Sequence, residues 1–180
     1  MASVMDLTTT IKQIINATAS KTVGLVAASG PLNKTYKLSM ADGSTTGLAD
    51  LIYTVSGTLV SGDNTTIDLL GALKQVFGEE LNFAKVKAIF IRNNVAVTGA
   101  TLLVGGTDAA NVFSGPWADE TDKSNVEPTG ADSDAIFGFS QINPGAGWTV
   151  DVTHQNLYLE HDASASADID YDIIIIGTSS

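Results

Sequence analysis

The chain has 180 residues, 44% of them apolar and only 16% charged, with no cysteine. That balance is too apolar for a disordered chain, suits one well-filled domain, and excludes disulfides and thiolate metal sites. The net charge of −11 is uneven, with eight Lys/Arg against seven acids in residues 1–92 and one Lys against thirteen acids in residues 93–180, so the second half repels phosphate backbones and anionic lipid and neither nucleic acid nor a membrane is expected as a partner.

The opening segment, "MASVMDLTTTIKQIINATAS", has no basic region followed by a long apolar core, so no signal peptide is expected. No apolar stretch approaches the roughly 20 residues that span a bilayer. The Asn-x-Thr triplets at Asn16, Asn33 and Asn64 therefore read as chance in a chain expected to be soluble and made in the cytosol. Within the same segment Leu7, Ile11, Ile14 and Ile15 fall at helical spacing behind Asp6, a good N-cap. A short amphipathic helix is expected there, too short to stand alone, docked on its own body or serving as a docking arm.

From Val23 the period changes to two. Tyr36, Leu38 and Met40 alternate with Lys37 and Ser39 before an Asp-Gly turn signal at Asp42-Gly43, and Leu51, Tyr53, Val55 and Leu59 continue the alternation. A second helix is expected in "IDLLGALKQVFGEEL", with Asp68 as cap, Leu69, Leu73, Val76 and Phe77 on one face, and Gly78 at its end. The following "FAKVKAIFIRNNVAVTGATLLVGG" reads as two or three strands broken at Asn93-Asn94 and Gly99. Residues 105–135 are polar and acidic and read as long loops around Trp117. Alternation resumes in "AIFGFSQI" and in "GWTVDVTHQNLYLEH", which places Trp148, Val150, Val152 and His154 on one side of a strand.

The chain closes with "DIDYDIIIIGTSS". In a strand Ile173 and Ile175 face one way and Ile174 and Ile176 the other. Both faces of its second half are apolar and need cover, one from the core and the other from a helix, a loop or a neighbouring subunit. Asp168, Asp170 and Asp172 share one face and are expected in solvent. Eight or so short strands with close turns predict a mainly β protein: an antiparallel β-sandwich or jelly-roll-like domain with one or two short helices. The division expected is residues 1–20 as an N-terminal arm with its short helix and residues 21–180 as the β-sandwich domain.

Little in the sequence points to catalysis. His154 and His161 bracket a strand, and no Gly-x-Ser-x-Gly elbow, Walker loop or Gly-x-Gly-x-x-Gly is present. Asp119, Glu120, Asp122 and Glu127 crowd one loop and Asp168, Asp170 and Asp172 one strand face, yet neither run has the spacing of a calcium loop, and solvated acidic surface explains both. Trp117 and Trp148 could stack on sugar rings, or could be a loop anchor and a core residue. No catalytic, cofactor-binding or metal residue is assigned, no cofactor is expected, and the chain is not expected to be an enzyme.

One further signal comes from a run of small matches in order: Ala41-Asp42-Gly43, Ala49-Asp50-Leu51-Ile52-Tyr53, Thr66-Ile67-Asp68-Leu69 with Gly71 and Leu73, Phe77-Gly78, Phe83-Ala84-Lys85-Val86-Lys87-Ala88-Ile89, and Tyr171 to Thr178. Over residues 37–177 the chain resembles a family of small virion structural proteins of tailed bacteriophages, of the capsid decoration or cement type. The resemblance implies a β-sandwich or jelly-roll domain, a homotrimer on the outer face of the phage head over capsomer junctions, and the major capsid protein as partner. It also implies a place in the virion after synthesis in the bacterial host cytoplasm. A host- or carbohydrate-binding module of a head fibre or tail is the alternative, resting on Trp117 and the acidic loop.

Overall fold

The computed structural model describes residues 6–23, 26–74, 78–96, 99–106, 110–128, 138–163 and 166–179. In chain order the strands are β1 (Thr9–Val23), β2 (Val26–Met40), β3 (Leu51–Leu59), β4 (Asn64–Asp68), β5 (Leu70–Lys74), β6 (Glu80–Asn82), β7 (Lys85–Asn93), β8 (Leu102–Gly105), β9 (Lys123–Val126), β10 (Phe139–Ile142), β11 (Trp148–Thr149), β12 (Asn156–His161) and β13 (Ile169–Thr178). All their pairings are antiparallel. The protein is mainly β and sandwich-like, as its Thr-, Val- and Ile-rich composition leads one to expect.

One sheet runs β10-β7-β13-β3, with β11 also against β7, and the other runs β4-β12-β8-β9. Ile89, Ile91, Ile173 and Ile175 of the first share a buried cluster with Leu102, Val104, Leu157 and Leu159 of the second. Asn93, at the end of β7, lies fully buried between the layers. Its amide donates to the carbonyls of Ala100 (2.7 Å) and Val126 (3.0 Å), and its Oδ1 accepts from the Val95 N–H. A polar residue inside the sandwich is tolerable only when its groups are satisfied in this way.

The reverse side of the first sheet is also covered at one end. Met40, Ala49, Ala88 and Ile176 form a second buried cluster, with Leu7, Ile11, Leu38, Ile52, Phe90 and Ile174 around it. The cover for the even-numbered face of β13 is thus the base of the β1–β2 hairpin and the loop before β3. Along β13 the exposed Asp168 and Asp170 give way to the half-buried Asp172 and Ile174 and then to the buried Ile176, so the strand is wet at its start and dry at its end. Ser179 closes it, donating from its N–H and its hydroxyl to the Asp50 carboxylate.

A bulge lets one strand serve both clusters. Ile176 pairs with Ala88 but Gly177 pairs with Val86, leaving Lys87 as the extra residue. Val86 therefore turns into the inter-sheet core while Ala88 joins the outer cluster. Lys87 is buried and its Nζ donates to the Gly145 carbonyl. Burial, with the charge of Lys85 as a lesser cause, lowers its pKa. The crossing is tight: a Cβ on Gly177 would strike the Lys85 carbonyl oxygen and the Phe83 ring.

Four expectations are corrected. The helix at Leu7–Ile15 is instead part of β1, because eight of its fifteen residues are Thr, Ile or Val and it has a full-length partner in β2. The same strand runs on through residues 20 and 21 to end at Val23. The helix from Asp68 is instead β5, with residues 75–77 outside the described set; Gly71 at φ +103 cannot continue a helix and sits where the β5–β6 register shifts. Among the described residues there is no helix. The loop expected over 105–135 contains β9, while 107–109 and 129–135 lie outside the described residues. Lastly, the strand expected from Trp148 through His154 stops at Thr149: Val150 is buried but Val152 is 72% exposed, and a turn at 151–154 carries His154 off the strand.

Gly177→Val should lower stability by about 1–3 kcal/mol through overpacking at the bulge, read as a fall in the urea midpoint without a change in slope. Asn93→Ala should cost about 1–3 kcal/mol by stranding the buried Ala100 and Val126 carbonyls; an unchanged midpoint would mean that neither carbonyl depends on it.

Candidate functional site

The histidines are committed to local structure. His161 is buried at the end of β12, where Nδ1 accepts from the Ala163 N–H (3.0 Å) and Nε2 donates to the Ala167 carbonyl (2.8 Å). The neutral ring with its proton on Nε2 satisfies both contacts and clips the segment leading to β13. His154 lies at the surface with Nδ1 3.0 Å from Asp151 and Nε2 3.6 Å from Glu120. Asp151 also accepts from the hydroxyl and N–H of Thr153, and these bonds, helped by His154, hold its carboxyl down at about 2. This is the side-chain chemistry of an Asx turn.

Several other carboxylates also accept hydrogen bonds from within the chain. Asp119 accepts from the Thr121 N–H and hydroxyl, and Asp122 from the Ala118 N–H. Glu127 accepts from Thr101 at 3.3 Å. On the β3–β13 ladder Asp170 accepts from Thr58, and Asp172 from Ser56 and Asn94, which lowers the Asp172 pKa. Among the described residues no three His, Asp or Glu side chains gather as a metal-ligand set.

Neither tryptophan stands free. The Trp117 indole N–H donates to Ser124 on β9 (2.9 Å), and its ring stacks on Phe139 with centroids 5.6 Å apart. Its other side lies against Gly105, where a Cβ would meet both the ring and the Asp122 carbonyl. Trp148 is half-buried on β11 and packs against the inter-sheet core. The loop-anchor and core readings of these residues hold.

What remains for binding is the β1–β2 hairpin. Two strands of fifteen residues, paired without a break from Thr9–Met40 to Val23–Val26, make an arm about 50 Å long at ~3.3 Å per residue. Its base is fixed, with Met40 buried and the Leu7 N–H donating to Asp42. Paired residues share a face. One face carries Ile11–Leu38, Gln13–Tyr36, Ile15–Lys34 and Ala17–Leu32; the other carries Lys12–Lys37, Ile14–Thr35, Asn16–Asn33 and Thr18–Pro31. Only Ile11 and Leu38 of the first set pack on the body, leaving Tyr36 60%, Leu32 49% and Ile15 44% exposed.

Open hollows lie between the arm and the outer sheet face. Leu7, Ile11, Ile52, Phe90, Ile174 and Ile176 line one of about 440 Å³, and another lies among Ile14, Ile15, Phe90 and the 40%-exposed Ile142. A second hollow of about 410 Å³, among Leu51, Leu70, Phe83 and Val150, has Glu80 as its one charged lining residue. Neither brings together an acid, a base and a nucleophile, as catalysis requires. The sequence reading missed the exposed face of the arm, since helical spacing of Leu7, Ile11 and Ile15 hid a strand. The density of β-branched residues in β1 was the signal that could have revealed it.

No protein-family model and no curated protein matches the chain. In structure it is similar to a chain of the Cyanophage Pam1 capsid asymmetric unit, at 19% identity and a TM-score of 0.32, over 69% of this chain and 79% of that one. A superposition this loose carries no argument about function.

The Asp151 turn gives a pH signature. A carboxyl whose folded pKa is depressed contributes stability that is present above its unfolded pKa near 3.8 and lost as pH falls through the folded value. Carboxyl NMR should therefore find Asp151 titrating at about 2, with the 151–154 turn intact at pH 3. In Thr153→Val the midpoint should rise towards 3.8, because the largest of its stabilising bonds is gone.

Proposed function

We propose that the chain is a non-enzymatic virion structural protein of a tailed bacteriophage: a capsid decoration, or cement, protein. In this reading it binds the outer face of the head as a homotrimer, contacts the major capsid protein and stabilises capsomer junctions. It acts by burying surface, needs no cofactor, and contacts neither nucleic acid nor membrane. It is made in the host cytoplasm and ends on the virion.

The observation that carries the reading is the combination of a two-layer body with a long arm whose apolar side chains Tyr36, Leu32 and Ile15 are exposed. A lone two-stranded hairpin is marginal in water, and exposed contiguous apolar surface of this kind marks a protein–protein contact. The sequence resemblance over residues 37–177 supplies the class of partner. Stable seating needs roughly 1,000 Å² of buried surface per site, which an oligomer multiplies. The adhesion alternative loses its main support, because the Trp117 ring is stacked and hydrogen-bonded within the chain, and Asp119 and Asp122 of the acidic loop bond within their own turn.

Heads of the encoding phage prepared without this protein should bind it when it is added back at micromolar concentration. The bound protein should co-sediment with them and raise the temperature at which they release DNA. Failure to pellet with heads, or pelleting with no change in DNA release, would overturn the cement reading.

A further inference from the structure

The charge on this chain divides by element more sharply than by halves. Residues 9–40, the two arm strands and their connection, contain Lys12, Lys21, Lys34 and Lys37 and no acid. Residues 41–180 contain five Lys/Arg and nineteen Asp/Glu. A purely basic arm of +4 thus projects from a body of −14.

Within the arm, Lys12 and Lys37 sit directly opposite each other on one face. Cross-strand partners have Cβ atoms about 5 Å apart, and like charges in that position destabilise the pairing. Neither lysine is paired with a carboxylate among the described residues. Lysines do guard free strand edges against unwanted pairing, but single charges suffice for that, and two set face to face are a cost until an anion relieves them. The chain's own body carries the excess carboxylates, yet only the base of the arm packs on it.

We propose that the β1–β2 arm of one copy of this chain docks on the acidic body of a second copy, where its Tyr36, Ile15 and Leu32 face is buried and its lysines are neutralised. This rests on the oligomeric part of the reading above and not on capsid attachment. The apolar face supplies the buried area, and the unneutralised lysines specify an acidic partner. Because the contact is partly ionic, salt weakens it.

The test is solution mass by light scattering and sedimentation, with no capsid present. The wild-type chain should be oligomeric and should dissociate about tenfold more readily at 0.5 M than at 0.05 M salt, as expected when exposed ion pairs are screened. Lys12→Glu separates the two roles of the lysine pair. It relieves the repulsion inside the arm, so the β-sheet circular dichroism and urea midpoint should hold or improve, while the oligomer weakens. Ile15→Asp with Leu32→Asp should give a folded monomer. Zero-length carbodiimide cross-linking of mixed isotope-labelled and unlabelled chains should join Lys12, Lys34 or Lys37 to carboxylates of residues 41–180 in the other isotope. A wild-type monomer at every concentration would overturn the proposal, as would an oligomer of unchanged affinity in both variants. An arm that cross-links only to added heads would overturn it too, and would leave the cement reading standing. A chain that forms the arm-dependent oligomer yet ignores heads would do the reverse.

Discussion

Ile173 to Ile176 run without a polar break on an interior strand of a sheet, so both sides of β13 need apolar cover along its second half. Burying one isoleucine is worth roughly 1.5–3 kcal/mol, and leaving the even-numbered pair exposed would forfeit much of what the odd-numbered pair contributes. Much of the architecture answers that demand. The second sheet covers Ile173 and Ile175, and the base of the β1–β2 hairpin, with Ala49 and Ala88, covers Ile176. The bulge at Gly177 is where β7 changes which layer it serves.

The arm is the consequence with functional weight. Its first few residue pairs are needed by the body, while the remainder extends beyond what the body can bury. The charge pattern changes meaning once the arm is recognised. The first 92 residues look nearly neutral because a basic hairpin is summed with acidic surface; outside residues 9–40 that half holds four Lys/Arg against seven acids. There is no near-neutral half facing an acidic one. An acidic body carries a basic arm.

β3 and β13 were legible from parity alone. The alternation of Leu51, Tyr53 and Val55 and the two-sided run in β13 placed both strands and the wet-to-dry gradient, because a period of two has one structural meaning when one face is buried. The two helices were misread for a shared reason. Leu7, Ile11 and Ile15, like Leu69 and Leu73, satisfy a spacing of four, which is a multiple of two as well, and only a partner strand decides between them. For β1 the partner is β2, and for β5 it is β6, with Gly71 at positive φ as the local veto on helix. Asn93 was visible only as a break; its role as a clamp between layers depends on Ala100 and Val126, which sequence distance conceals. Motifs also conceal how Asp151 and His161 are used, in an Asx turn and in a clip on the segment before β13.

Strand order has a consequence for how the protein is made. β3 and β7 share no hydrogen bonds; each pairs instead with β13, which follows both in sequence by many residues. As the chain leaves the ribosome, β3 and β7 must wait, each with an unpaired edge, until Ile169–Thr178 has been synthesised. Closure of the main sheet is therefore a late, non-local event, slow by the measure of contact order and exposed to aggregation meanwhile. A chain interrupted before β13 lacks its central strand altogether, and with it Ile173 and Ile175 of the inter-sheet core and Ile174 and Ile176 beneath the base of the arm.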